Sequence, residues 1–189
     1  MQYVIMTVGK THSGKTTFGK ELTEKLGKYC LLDFDILVEF FKTTYSWLYN
    51  AELFKTPKDA NDAHYLSLKV RTTIFKQALK TNLPIIFTNA NTLKKLRKKF
   101  CTLAHKERKK IIMIYFNRPE KVLLERIKKS KRSKICLTRS TDFQDLLINR
   151  QSKIFEKPSE KEADMFIEIN NTEDWNTAQK TITRMIERK

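Results

Sequence analysis

Only four glycines and four prolines occur in 189 residues. No Gly/Ser/Pro-rich tract therefore reads as a linker, and no repeat or low-complexity segment divides the chain. One domain is expected over residues 1–189, enough for a full α/β core. Cysteine is scarce too: Cys30, Cys101 and Cys136 are odd in number and lack metal-ligand spacing. That argues against a disulfide framework and for reduced thiols in a cytoplasmic protein. His12, His64 and His105 lie too far apart for a local metal motif. No apolar run approaches the roughly 20 residues of a membrane span, so no membrane partner is expected. The first apolar run is about six residues long and turns directly into a glycine loop, unlike a secretory signal. Nothing in the sequence speaks to the oligomeric state.

Acidic residues are also short. The formal net charge is +17, from 38 Lys and Arg against 21 Asp and Glu. Between Lys94 and Lys134 stand 17 Lys/Arg and three acids (Glu107, Glu120, Glu125), so this stretch holds +14 of that charge. A localised basic surface points to a polyanionic partner, nucleic acid first. A general lysine bias, 28 lysines against ten arginines, would give the same charge with no partner behind it.

Residues 9–16 read Gly-Lys-Thr-His-Ser-Gly-Lys-Thr, a complete G-x-x-x-x-G-K-[ST] phosphate-binding loop. A β-rich apolar run, Tyr3–Val8, leads in. A helical run, Thr16–Leu26, leads out with Phe18, Leu22 and Leu26 at i, i+4, i+8. Strand, loop and helix in that order make a nest of backbone N–H groups at a positive helix terminus. Nucleotide-binding candidates are Gly9, Thr11, His12, Ser13, Gly14, Lys15, Thr16 and Thr17. Lys15 suits the β- and γ-phosphates of ATP, and the Thr16 hydroxyl suits Mg²⁺.

Five short apolar runs read as strands: Tyr3–Val8, Tyr29–Phe34, Leu83–Thr88, Ile111–Phe116 and Met165–Ile169. They are continuous rather than alternating, as parallel strands buried on both faces are. Helical stretches separate them: 16–26, 36–49, 60–80, 92–106, 119–129, 141–155 and 174–187, with Trp175 a core anchor at the start of the last. The expected fold is α/β and three-layered, a five-stranded parallel sheet flanked by helices. Ligands in such sheets bind outside the carboxyl ends of the strands.

At the end of strand two, Asp33 and Asp35 stand at i, i+2, one side of an extended segment. Such a carboxylate can take the proton of an attacking hydroxyl, and Asp35 is the first choice with Asp33 supporting. Both also suit helix capping. At the end of strand three, Asn89 and Asn91 suit either hydrogen bonding to acceptor or phosphate oxygens or a turn before Thr92. After strand four, a basic helix carrying Arg126 runs into a segment that reads as a lid over roughly residues 127–142. Arg126 first, then Arg132 and Arg139, are placed to neutralise phosphoryl charge; a solvated basic face is the plain alternative. The aromatics Phe40, Phe41, Tyr45, Trp47 and Tyr49 have helical spacing and read as packing before base stacking.

These motifs together resemble the small P-loop kinases typified by phage-type 5′-hydroxyl polynucleotide kinases, with zeta toxins, chloramphenicol phosphotransferase and adenylylsulfate kinase as more distant relatives. The likeness rests on Val8-Gly9 through Phe18, Asp33-Phe34-Asp35, Phe87-Thr88-Asn89-Ala90-Asn91 and Leu123-Leu124-Glu125-Arg126. It includes the tail from Ile148-Asn149-Arg150-Gln151 to Asp164. The resemblance implies Lys15, Thr16 and Thr17 on the nucleotide phosphates and metal, Asp35 as general base and Arg126 on the phosphates. The chain departs from that pattern at Val38, where an arginine is expected, and at Asn89, where an acid is expected. The expected activity is ATP- and Mg²⁺-dependent phosphorylation of a 5′-hydroxyl end of RNA or DNA. The alternatives are a small-molecule hydroxyl acceptor (nucleoside, nucleotide, sugar or antibiotic) and a nucleic-acid-binding NTPase without an acceptor.

Overall fold

The structure, a computed structural model, describes residues 2–37, 40, 57–131 and 142–187. Arg132, Cys136, Arg139, Val38 and most of the expected 36–49 helix lie outside them.

Five strands, β1 (Tyr3–Val8), β2 (Cys30–Asp33), β3 (Ile85–Thr88), β4 (Lys110–Phe116) and β5 (Met165–Ile169), form one parallel sheet in the order β2-β3-β1-β4-β5. Register aligns the carboxyl ends: Met6 pairs with Phe87, Asp33 with Thr88, and Val8 with Tyr115. The helices are α1 (Lys15–Leu26), α2 (Pro57–Leu79), α3 (Lys94–Lys106) and α4 (Glu120–Lys129), then a helical run over 143–154 and a final helix, Thr172–Glu187.

Alternation along the strands builds two cores. Val4, Met6, Val8, Ile85 and Phe87 face one way and pack with Phe75 of α2 and Phe100 of α3. Ile5, Ile86, Ile112 and Ile114 face the other way and pack with Phe18 and Leu22 of α1 and Ile182 of the last helix. The expected three-layer α/β fold with a five-stranded parallel sheet is what forms.

β1 and β5 match their expected ranges. β2 and β3 start one and two residues late. Pro84 supplies no N–H, so pairing begins beyond it, with Cys30 N–H donating to the Pro84 carbonyl at 2.9 Å. β2 also stops short of Phe34, where the chain turns helical. Over 143–154 the expected α-helix carries a π-helical stretch, Leu146–Gln151. Cys30 and Cys101 are free thiols. Burial first, then Glu162 and Asp164, push the Cys101 thiol up to about 12, which keeps it protonated.

The turn after β3 is fixed by Arg97 of α3, which is fully buried. Its Nε and Nη2 donate to the Glu162 carboxylate at 2.8 and 3.1 Å, and Nη1 donates to the carbonyls of Asn91 and Thr92. Burial pushes the Glu162 carboxyl up. Hydrogen bonds from Arg97 and the Ser159 N–H, with the Arg97 and Lys94 charges, outweigh it and hold its pKa below the usual 4.5. Glu162→Gln leaves a buried guanidinium without its countercharge and is expected to cost about 3–5 kcal/mol of stability at pH 7 by urea denaturation. The pair's contribution is complete above pH 4.5 and is lost as the pH falls through the depressed value. The gap between wild type and variant therefore closes in acid.

Candidate active site

The phosphate loop leaves β1 at Gly9, whose N–H donates to the Ala90 carbonyl at 3.0 Å. A Cβ at Gly9 would stand 2.8 Å from Ser13 Oγ and 3.1 Å from the Phe116 Cβ, so nothing larger fits. His12 and Gly14 take positive φ, 57° and 107°, the kind of backbone curl that a phosphate-binding nest uses. α1 begins at Lys15, with the Phe18 N–H donating to the Gly14 carbonyl. The Lys15 ammonium folds back over the loop, donating to the Lys10 carbonyl at 2.6 Å and to Ser13 Oγ at 3.2 Å. Phosphate oxygens are stronger acceptors than either. Thr16 is half-buried and Thr17 exposed in the first turn of α1.

Three elements clamp this loop. The Gln151 side-chain oxygen accepts the Thr11 N–H at 2.6 Å. Lys10 pairs with Glu120 of α4, and both meet Ser152. The bonds from Lys10 and Ser152 hold the Glu120 carboxyl below the ordinary carboxylate range. The indole of Trp175 covers Gly14: a Cβ there would lie 2.8 Å from the ring. That ring also meets Phe18 and Phe116 edge-on, and its N–H donates to Glu21 at 2.9 Å. The anchor role expected of Trp175 holds, and it falls on the loop itself.

Asp33 ends β2 and is buried, while Asp35 is half-buried in the helical turn that follows. Asp33 Oδ1 accepts the Asp35 N–H at 2.9 Å, a helix-start cap. The pair does not lie on one extended segment, because residues 34–37 are helical. Asn89 turns its Oδ1 onto the Ala90 N–H at 2.8 Å. Asn91 is buried at φ 46° and donates to the Thr7 carbonyl at 2.7 Å. Both therefore serve the turn.

Arg126, exposed on α4, reaches the loop and donates to the His12 carbonyl at 3.2 Å. Arg118 donates to the carbonyls of Asn170 and Asn171 after β5. Burial, then the Arg126 charge, lower its pKa, so two guanidiniums share this flank of the loop. Not all of the basic stretch is available to a partner. Arg97 is internal, and Lys109 is buried with its ammonium on the Thr81 carbonyl at 2.7 Å. Lys94, Lys95, Lys98, Lys99, Lys121, Lys128 and Lys129 are exposed.

Beside the loop lies a cavity of about 600 Å³. Its lining comes from Phe34 after β2, from α2, from residues 89–93 after β3, from α3 and from the run over 146–154. Ala90, Asn91 and Gln151 line it and also bond β1 or the phosphate loop, so cavity and loop share a wall. Sequence reasoning assigns no role to Arg71, Asn149, Arg150, Gln151 or Lys153. Only the Asn149-Arg150-Gln151 string stood out, and its place on the cavity is a long-range contact.

Among the described residues no three His, Cys, Asp or Glu cluster to hold a metal ion, and no helix is long and apolar enough to cross a membrane. Residues 4–158 match the family model described as AAA domain. No curated protein matches the chain. A gluconokinase from Sinorhizobium meliloti 1021 superposes with TM-score 0.61 at 18% identity, covering 99% of this chain and 94% of that one. Kti12 from Chaetomium thermophilum, in complex with ADP-AlF3, gives 0.60 at 16%, covering 98% and 99%. A shikimate kinase from Acinetobacter baumannii, in complex with shikimate, gives 0.56 at 21%, covering 100% and 96%. At these identities the likeness establishes the P-loop kinase fold.

Lys15→Ala removes an ammonium held over the loop. It is expected to weaken Mg·ATP binding about ten- to a hundredfold by calorimetry, the worth of a charge-assisted hydrogen bond. Thermal unfolding should stay within a few degrees of wild type.

Proposed function

This chain belongs to the AAA-domain family, and on that footing we propose that it is an ATP- and Mg²⁺-dependent kinase for a hydroxyl seated in the cavity beside the phosphate loop. The observation that carries this reading is the shared wall: Ala90 and Gln151 touch both the loop backbone and the cavity. A nucleotide on the loop and an acceptor in the cavity are then neighbours. Phe34, between Asp33 and Asp35, lines the same space.

In the proposed step the acceptor oxygen forms a bond to the γ-phosphorus while the bond to the β–γ bridging oxygen breaks. ADP leaves, and the hydroxyl proton passes to Asp35. Lys15 and Arg126 spread the phosphoryl charge. Magnesium carried in with the nucleotide would supply neutralising charge to its phosphates. A nucleotide-borne ion needs only one or two protein ligands, and Thr16 in the first turn of α1 suits one of them.

A cavity of about 600 Å³ favours a small-molecule acceptor, as does the fold shared with a gluconokinase. The exposed lysines of α3 and α4 favour the second reading, a 5′-hydroxyl end of RNA or DNA. ADP release over a panel of small alcohols, set against end-labelling of 5′-hydroxyl oligonucleotides at equal concentration, separates the two. Under the first reading a small alcohol outcompetes the oligonucleotide, and labelling stays at background.

Asp35→Asn is expected to lower kcat by about 10²–10⁴ while Mg·ATP binding is retained. Undiminished turnover in that variant would remove Asp35 from the base role.

A further inference from the structure

We propose that Gln151 is a positioning residue for phosphoryl transfer: it locks one peptide unit of the phosphate loop, and so couples a nucleotide on that loop to the wall of the acceptor cavity. This rests on the kinase reading above. Gln151 ends the π-helical stretch Leu146–Gln151 and is buried. Its side-chain oxygen accepts the N–H of Thr11, also buried, at 2.6 Å. A backbone N–H can only donate. The bond therefore fixes which end of the amide faces the loop and turns the Gln151 NH₂ away from it.

The peptide that Gln151 holds is one that Lys15 also touches. The Lys10 carbonyl shares a planar unit with the Thr11 N–H. It accepts from the Lys15 ammonium at 2.6 Å and from the Ser13 N–H at 3.4 Å. Rotation of that unit disturbs both of its ends together. Phosphate oxygens are better acceptors for an ammonium than a carbonyl is. Once Lys15 turns to phosphate, the orientation of the peptide rests on Gln151 and the long bond from Ser13.

The other end of the coupling is the cavity. Gln151 lines it with Asn149, Arg150, Lys153 and Ile154 of the same run. The next residue, Ser152, accepts from the Lys10 ammonium at 3.0 Å and bonds Glu120. Two consecutive residues of the run thus hold two consecutive residues of the loop. They hold them differently: Ser152 meets a flexible side chain, and Gln151 meets the backbone. Short π-helical stretches occur chiefly at functional sites, and this one delivers its last residue onto the loop. A buried N–H left without an acceptor is costly. Opening of the run against an ordered loop must break that bond, so a nucleotide that orders the loop also steadies the run. By linkage, a ligand that steadies the run from the cavity side favours nucleotide.

Hydrogen exchange of the intact protein, read by mass spectrometry over 8–18 and 143–156, tests this with and without Mg²⁺ and a non-hydrolysable ATP analogue. In the wild type the analogue should slow exchange over both stretches, by about threefold or more over 143–156. Gln151→Met keeps the bulk and loses the amide. It should abolish the slowing over 143–156, keep it over 8–18, and weaken the analogue about three- to tenfold by calorimetry, the worth of one hydrogen bond. Gln151→Glu retains an acceptor oxygen at the same reach. It should restore the slowing but not the full affinity, because its charge opposes phosphate. Ser152→Ala releases the Lys10 side chain but not the peptide, and should keep the response. A purely structural tie would raise exchange in Gln151→Met without changing the response to the analogue. That result, no restoration by Gln151→Glu, or equal loss in Ser152→Ala would overturn the proposal. A wild-type loop that responds while 143–156 stays unchanged overturns the coupling alone. A wild-type loop that ignores the analogue overturns the kinase reading, and the coupling with it.

Discussion

The N–H of Gly9 meets the carbonyl of Ala90, and the geometry of the site follows from that bond. It fastens the first residue of the phosphate loop to the end of the neighbouring strand. The turn after β3 is in turn held by Arg97, whose guanidinium is satisfied by Glu162 and two carbonyls in the interior. A buried ion pair far along the chain thus positions the backbone that phosphate would meet. The cost of burying that charge is offset because each of the three guanidinium nitrogens has an acceptor. Specific placement, rather than net stability, is what such a pair contributes.

The loop and the sheet were legible because they depend on local pattern. Continuous apolar runs located β1 and β5 to the residue, and Gly9 to Thr16 announced the nest without any long-range information. Boundaries slipped where a single local event intervened, at Pro84 and at the Asp33 cap. The Asp33–Asp35 pair was visible as two acids, but an extended geometry was assumed where the chain turns helical. Asn89 and Asn91 showed their turn chemistry in composition alone.

The cavity was not legible. Arg71 sits in the helical stretch over 60–80, and Arg150 and Lys153 sit in that over 141–155. Nothing in either stretch says that they line one cavity. The π-helical winding of Leu146–Gln151 is equally silent, because its hydrogen-bond pattern has no residue signature. The same limit applies to charge. A count over residues 94–134 sees one basic block, while the fold withdraws Arg97 and Lys109 from its surface. Most of what remains exposed among the described residues lies on two helices with a phosphate loop between their strands.

Trp175 lies against Gly14, and it is one of only two tryptophans in the chain. Its indole packs on the phosphate-loop backbone and carries a carboxylate on its N–H. A dianionic phosphate arriving there would change the field across the ring. Occupancy of the loop would then register in the intrinsic fluorescence of that residue, with Trp47 the only other tryptophan in the sequence.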